Sequence, residues 1–311
     1  MTNRRDFIKA VAFLGGTTVL PVPLFTSSTL AVDSAAESEF TLWQIPLNRS
    51  PSQGNSYVFR TKEGKVVVMD GGVAQEADYL RGFLGALGNV VDIWFVSHPH
   101  NDHIGAFNEI LKKPDGIEIK SVYHSAYSSD FYENVEADRS GARDLTVEFY
   151  GNLELLSQKG CKVVDVKEPG LVIELDRLKF KILGVKNEDI RTGYNNSCMV
   201  IRAWDSVRSV VFLGDAGIEQ GNRLLAGPFR KDLDCDYLQL AHHAQRGVSK
   251  DFYRTIKFSA CLWPTPLWLF NNDAGKGYNT HTWETVEIRN LMDELGIQKH
   301  FYGWQGLCIV D

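Results

Sequence analysis

Apolar positions fall in short runs separated by polar turns, and the runs change period along the chain. Residues 40–45 and 55–60 alternate as strands do, and 65–69 is a continuous apolar run ending in Asp70-Gly71-Gly72. Residues 76–88 carry helical spacing. A buried-type strand follows over 91–97, then a helix over 106–112, a strand over 118–123 and a longer helix over 136–159. Beyond Gly160 come strands at 162–166, 171–175 and 180–185. A hairpin follows, with arms at 199–204 and 207–213 turning at Asp205-Ser206. Strands at 237–241 and 260–263 and a helix at 282–295 complete the pattern. No Pro/Ser-rich linker divides the body, so the pattern predicts one α+β domain of two stacked halves, each strand-rich with outer helices.

The polar residues that break this pattern are concentrated in one place. His98-Pro99-His100-Asn101-Asp102-His103 puts three imidazoles and a carboxylate into six positions directly after a buried strand. Burying such groups unpaired is costly. A divalent ion removes that cost, because imidazole nitrogen and carboxylate oxygen are ligands that Zn²⁺ accepts, and Mn²⁺ tolerates the same set. His98 and His100 alternate as in an extended segment, and Asp102 and His103 begin a turn, so one loop can feed two neighbouring ions. A second set lies further on. The run 210–213 ends in Gly214-Asp215-Ala216, and 238–241 ends in His242-His243. Alone, Gly-Asp reads as a turn and a His pair as surface. Beside the first loop, Asp215 reads as a carboxylate able to bridge two ions.

Composition narrows the picture. The net charge of −6 provides no global basic field for nucleic acid. The five cysteines have no metal-type spacing and read as buried free thiols. The N-terminus carries Arg4-Arg5-Asp6-Phe7-Ile8-Lys9 before a moderately apolar stretch broken by Gly15, Gly16 and prolines. It resembles a twin-arginine export signal, too interrupted for a membrane span, with small residues near Ala31 and Ala35 for cleavage. Residues 1–37 are therefore expected to be a signal peptide and 38–311 the exported domain, periplasmic or secreted.

The His98–His103 run, Asp70 at its strand end and Gly214-Asp215 resemble the metallo-β-lactamase superfamily. Ser97–Gly105, Asn195-Asn196-Ser197, Phe212–Ala216 and Ala241-His242-His243 are similar to its ComEC-like branch of competence nucleases and choline-phosphate esterases. The resemblance spans about 40–305 and implies a four-layer αββα sandwich holding two divalent ions, zinc or manganese. It implies that His98 and His100 hold one ion, Asp102 and His103 the other, that Asp215 bridges them, and that His242 completes the second site. Asp70 would orient a ligand from outside, with Asn195 and Asn196 also behind the ligands. Where related carbonyl hydrolases have a further His, this chain has Asn195-Asn196-Ser197, which leaves an open position that His124 could fill. His124 otherwise reads as a pocket histidine that contacts substrate, or as a buried one. The branch's Gly-Ser after the His pair is replaced by Ala244-Gln245.

The chemistry implied is hydrolysis by a hydroxide held between two ions. Asp102 would orient it, and His243 or His281 would bind the anionic group or protonate the leaving oxygen. His281 also reads simply as a helix-start residue. The leading expectation is phosphodiester hydrolysis, on a small-molecule or polymer substrate. The alternatives are a carbonyl hydrolase, lactonase or β-lactamase-like, and a metal-binding protein without turnover.

Overall fold

A computed structural model of the chain describes residues 37–47, 53–128, 131, 142–187, 195, 198–273 and 275–311. The signal-peptide expectation for 1–37 lies outside these residues except for Glu37. Residues Glu37–Asp311 form one compact unit. Among the described residues no helix is long and apolar enough to cross a membrane.

Two seven-stranded sheets carry the fold. The first contains β1 (Phe40–Gln44), β2 (Ser56–Thr61), β3 (Val66–Asp70), β5 (Ile93–Val96), β7 (Ser121–His124), β8 (Lys162–Asp165) and β16 (Cys308–Val310), in the order β16-β1-β2-β3-β5-β7-β8. The second contains β9 (Val172–Leu175), β10 (Leu178–Gly184), β11 (Val200–Trp204), β12 (Ser209–Phe212), β13 (Tyr237–Gln239), β14 (Ala260–Trp263) and β15 (Lys299–Tyr302), in the order β15-β14-β13-β12-β11-β10-β9. The short pair β4 (Val90–Val91) and β6 (Glu118–Ile119) stands apart from both. Each large sheet is antiparallel in one half and parallel in the other, changing over at β3 and at β12. The parallel halves bring the carboxyl ends of β3, β5, β12 and β13 to the site, and strand ends of parallel sheets are where open sheets place their chemistry.

Three apolar layers follow from strand alternation. Between the sheets lie Phe59, Met69 and Phe95 from one side and Phe180, Ile201 and Phe212 from the other. The outer face of the first sheet, with Val68, Trp94 and Val122, is covered by α1 (Ala77–Ala86), α2 (Asn101–Lys112) and α3 (Ala142–Gln158) through Leu80, Phe107 and Phe149. The outer face of the second is covered by α4 (Ile218–Ala226), α5 (Lys250–Thr255) and α7 (Thr285–Glu294) through Leu224, Phe252 and Met292. A one-turn helix, α6 (Leu267–Phe270), precedes α7. The architecture is the expected αββα sandwich.

Departures from the predicted elements have local causes. The 118–123 strand is two strands in different sheets, because the Lys120 amide turns to Val91 O at 2.9 Å. The second hairpin arm begins at Ser209 and not at 207, since Asp205 Oδ1 captures the amides of Val207 and Arg208 at 2.7 and 2.8 Å. The helix expected from 106 begins at Asn101, so Asp102 and His103 sit in its first turn.

Candidate metal centre

Pro99 disfavours helix at His98, which keeps the chain extended past β5 until α2 begins at Asn101 with His100 in extended conformation before it. Asp102 then falls in the first turn, where a negative side chain complements the helix dipole. The helix can pack this close to the Val73-Ala74 turn beyond β3 because of Gly105, where a Cβ would stand 2.4 Å from the Ala74 amide nitrogen.

The side chains converge in two groups. Donor atoms of His98, His100 and Asp215 lie within 4.8 Å of one another, and so do those of Asp102, His103, Asp215 and His243. Asp215 belongs to both and uses a different oxygen for each. Its Oδ2 faces His98 Nε2 at 3.7 Å, and its Oδ1 faces His103 Nε2 at 3.1 Å and His243 Nε2 at 3.6 Å. His98 Nε2 is 3.0 Å from His100 Nδ1, and Asp102 Oδ2 is 3.2 Å from His243 Nε2. His98, His103, Asp215 and His243 are all buried.

Burial and charge pull these groups apart. Burial holds the His98 imidazole well below its ordinary pKa, and burial likewise takes His100 down to about 4. Burial also opposes charge on His103 and His243. The carboxylates of Asp215 and Asp70 outweigh it at His103, and those of Asp215 and Asp102 raise His243 to about 10. Burial works against the Asp102 and Asp215 carboxylates too, yet the neighbouring imidazoles hold both well below the usual range.

An outer set of contacts holds the donors in place. Asp70, at a left-handed φ of 54°, lies with Oδ2 2.7 Å from His103 Nδ1, and its Oδ1 accepts from the Ser97 amide at 2.7 Å. The Ser97 hydroxyl and Asn55 Nδ2 both donate to Asp70 Oδ2 at 2.8 Å. His243 Nδ1 donates to Pro264 O at 2.6 Å, which turns Nε2 inward. His242, His243 and Ala244 are three successive left-handed residues, and this turn points the two imidazoles in different directions.

Three of the expected site histidines stand outside the two donor groups. His243, not His242, stands with Asp102 and His103; His242 Nε2 instead lies 3.7 Å from Asp215 Oδ2, the oxygen that faces His98. His124 gives no nitrogen to either group. Its ring is enclosed by Phe149 and Tyr150, its Nδ1 accepts from the Ala126 amide, and burial takes it down to about 4. His281 is also outside both groups, stacked on Trp283 at 5.0 Å with Nδ1 accepting from the Thr282 amide. Asn195 Nδ2 lies 3.4 Å from His242 Nε2. Asn196 lies outside the described residues.

Sequence reasoning passed over Gln239, whose side chain holds the Gly214 peptide, and Cys198, whose Sγ accepts from the Asp215 amide at 3.2 Å. For Gln239 a signal existed: a single amide between leucines near the end of a buried strand.

The residues fit metal ions. Among the described residues, His103 Nε2, His243 Nε2 and Asp215 Oδ1 are buried without a hydrogen-bond partner, close together but not aligned to bond one another. Such atoms are expensive unless something else binds them, and imidazole and carboxylate are donors for divalent ions.

A two-sheet sandwich with paired His/Asp groups at its strand ends defines a class of metalloprotein. The model of the Metallo-beta-lactamase superfamily matches residues 49–257, and the chain belongs to that superfamily. Its members bind divalent metals, often two, and are generally metal-dependent hydrolases. Among solved structures, the chain is similar to CmlA, a diiron beta-hydroxylase from Streptomyces venezuelae. The identity is 12% and the TM-score 0.54, covering 88% of this chain and 54% of that one, so this chain spans about half of CmlA. It is also similar to the metallo-beta-lactamase fold protein YhfI from Bacillus subtilis, with 12% identity, TM-score 0.49 and coverage of 84% and 95%. The MIM-2 metallo-beta-lactamase gives 17% identity, TM-score 0.40 and coverage of 69% and 79%. No curated protein matches the sequence.

Proposed function

We propose that this chain is an exported two-metal hydrolase of phosphodiester bonds, related to the ComEC-like branch of the superfamily. The observation that carries the reading is Asp215, whose two oxygens face two separate donor groups while Oδ1 has no hydrogen-bond partner among the described residues. His98, His100 and Asp215 would hold one ion, and Asp102, His103, His243 and Asp215 the other. With both ions bound, zinc or manganese, the site would have hydroxide available near neutral pH and a polarised oxygen under attack.

The chain's own residues set the geometry for that chemistry. Asp70 fixes the His103 ring and Pro264 O fixes His243, so neither imidazole has to reorganise during reaction. Asp102, whose Oδ2 lies 3.2 Å from His243 Nε2, would accept a hydrogen bond from the attacking water and orient it. His242 and Asn195 line a cleft of about 1060 Å³, and His242 Nε2 lies 3.7 Å from Asp215 Oδ2. Arg246, Lys250, Glu219 and Glu284 are among the residues that line that cleft, charged groups able to meet an ester that carries both charge and hydroxyls. A phosphodiester offers two non-bridging oxygens, one toward each donor group, as two-metal catalysis uses them.

One observation favours a second reading, a carbonyl hydrolase. His242 Nε2 beside Asp215 Oδ2 gives the first group a third imidazole and narrows the position that a phosphoryl oxygen would use. Parallel assays of the zinc-loaded mature protein with bis(p-nitrophenyl)phosphate and nitrocefin separate the two. Cleavage of the phosphodiester is expected, and turnover of nitrocefin alone would replace this reading with the second.

A further inference from the structure

We infer that Gln239 is a positioning residue that sets the distance between Asp215 and the His242-His243 turn. The inference rests on the two-metal reading above, and concerns how that site is held together. Gln239 ends β13 in the middle of the second sheet and is fully buried. The parallel ladder between β12 and β13 stops at the pair Phe212–Gln239, so Gly214, two residues further on, has left the ladder.

The Gln239 side chain takes over where the backbone stops. Its Oε1 accepts from the Gly214 amide at 2.7 Å, and its Nε2 donates to Gly214 O at 3.2 Å and to Leu240 O at 2.6 Å. Both polar atoms of Gly214 are thereby fixed. Gly214 O also accepts from the His242 amide at 3.0 Å, which ties the second strand end to the same residue. One amide thus clamps the residue before Asp215 and, through Gly214 O and Leu240 O, the turn that carries His242 and His243.

Gly214 needs this support. Its φ of 54° is left-handed, and a Cβ there would meet Ser97 Cβ at 3.2 Å and Cys198 Sγ at 3.3 Å. The backbone is therefore pressed against the loop that bears His98. Without the clamp, the Gly214 amide, Gly214 O and Leu240 O each lose a hydrogen bond, with Gly214 O keeping only the His242 amide, and Asp215 can rotate away from one donor group. No apolar residue of similar volume reproduces this, because the clamp needs an acceptor and a donor on one planar group.

The test compares Gln239→Leu and Gln239→Glu in the otherwise intact chain. Glutamate keeps an oxygen for the Gly214 amide and sets a second oxygen against Gly214 O and Leu240 O. Zn²⁺ affinity and stoichiometry are read by chelator competition, and ligand geometry by the absorption spectrum of Co²⁺-loaded protein, with far-UV circular dichroism confirming the fold. The expected result is weaker Zn²⁺ binding by about tenfold or more in the leucine variant, the range for lost outer-shell support, with a smaller loss in the glutamate variant and an altered Co²⁺ spectrum in both. Unchanged affinity and spectrum in a folded leucine variant would overturn the inference even if its melting temperature falls. If the leucine variant does not fold, the glutamate variant decides alone: weakened binding supports the clamp, and wild-type binding overturns it. A wild-type chain that binds no Zn²⁺ would instead overturn the two-metal reading itself.

Discussion

Asp70 and His103, thirty-three residues apart, are joined at 2.7 Å between Oδ2 and Nδ1, so the imidazole presents Nε2 to Asp215 at 3.1 Å. The strand that ends in Asp70 therefore orients a donor carried by a helix. Partners of this kind fix ring orientation and raise ligand basicity. Asp70→Ala is expected to lower metal affinity at the Asp102/His103/His243 group by about 10- to 100-fold. Chelator competition on purified protein checks this, and unchanged affinity would assign Asp70 a purely structural role.

His242 and His243 should separate by phenotype. His243 Nε2 belongs to the four-donor group, whereas His242 lines the cleft. His243→Ala is expected to reduce metal content toward one ion per chain. His242→Ala is expected to retain more metal but lose activity. Metal analysis of both variants beside the wild type decides this, and the reverse ordering would restore the sequence-based assignment of His242 to the second ion.

The His124 environment sets an acid limit on stability. Burial depresses this histidine to about 4 from 6.5, with Asp165 pulling upward and Lys186 downward. A histidine that binds its proton less readily when folded contributes stability that is complete above the unfolded pKa and is lost as pH falls through the window from 6.5 toward 4. Acidification through the whole of that window costs about 3 kcal/mol of stability. Urea unfolding of the wild type should therefore weaken across that window, and His124→Gln should lose about one proton's share of the slope. An identical pH slope in the variant would contradict this.

Arg4 and Arg5 should be required for export if the leader uses the twin-arginine route. Changing both to Lys is expected to leave precursor in the cytoplasm, scored by fractionation. Normal secretion of the double variant would point to another route.

Much of this architecture was legible because its signals are local. The His98–His103 run, Asp70 after an apolar strand and Gly214-Asp215 after another are short-range patterns, and strand-end chemistry needs only the strand to be recognised. The exchange between His242 and His243 was not legible, because it depends on three successive left-handed residues that no neighbouring sequence signal specifies. His124 was ambiguous for a related reason. A strand-end histidine faces either the site or the helix layer, and here Phe149 and Tyr150 of α3, some twenty-five residues later, enclose it. The strands at Lys299–Tyr302 and Cys308–Val310 were missed because their edge positions leave them half exposed, with weak apolar alternation.

The shared carboxylate of Asp215 is the centre of the account, and the metal content of wild-type and Asp215→Ala protein tests it most directly. Purified mature chain, loaded with Zn²⁺ and freed of excess, is expected to hold two ions per chain, and the Asp215→Ala variant at most one, with the far-UV spectrum unchanged. Two ions retained by a folded Asp215→Ala variant, or none held by the wild type, would contradict it.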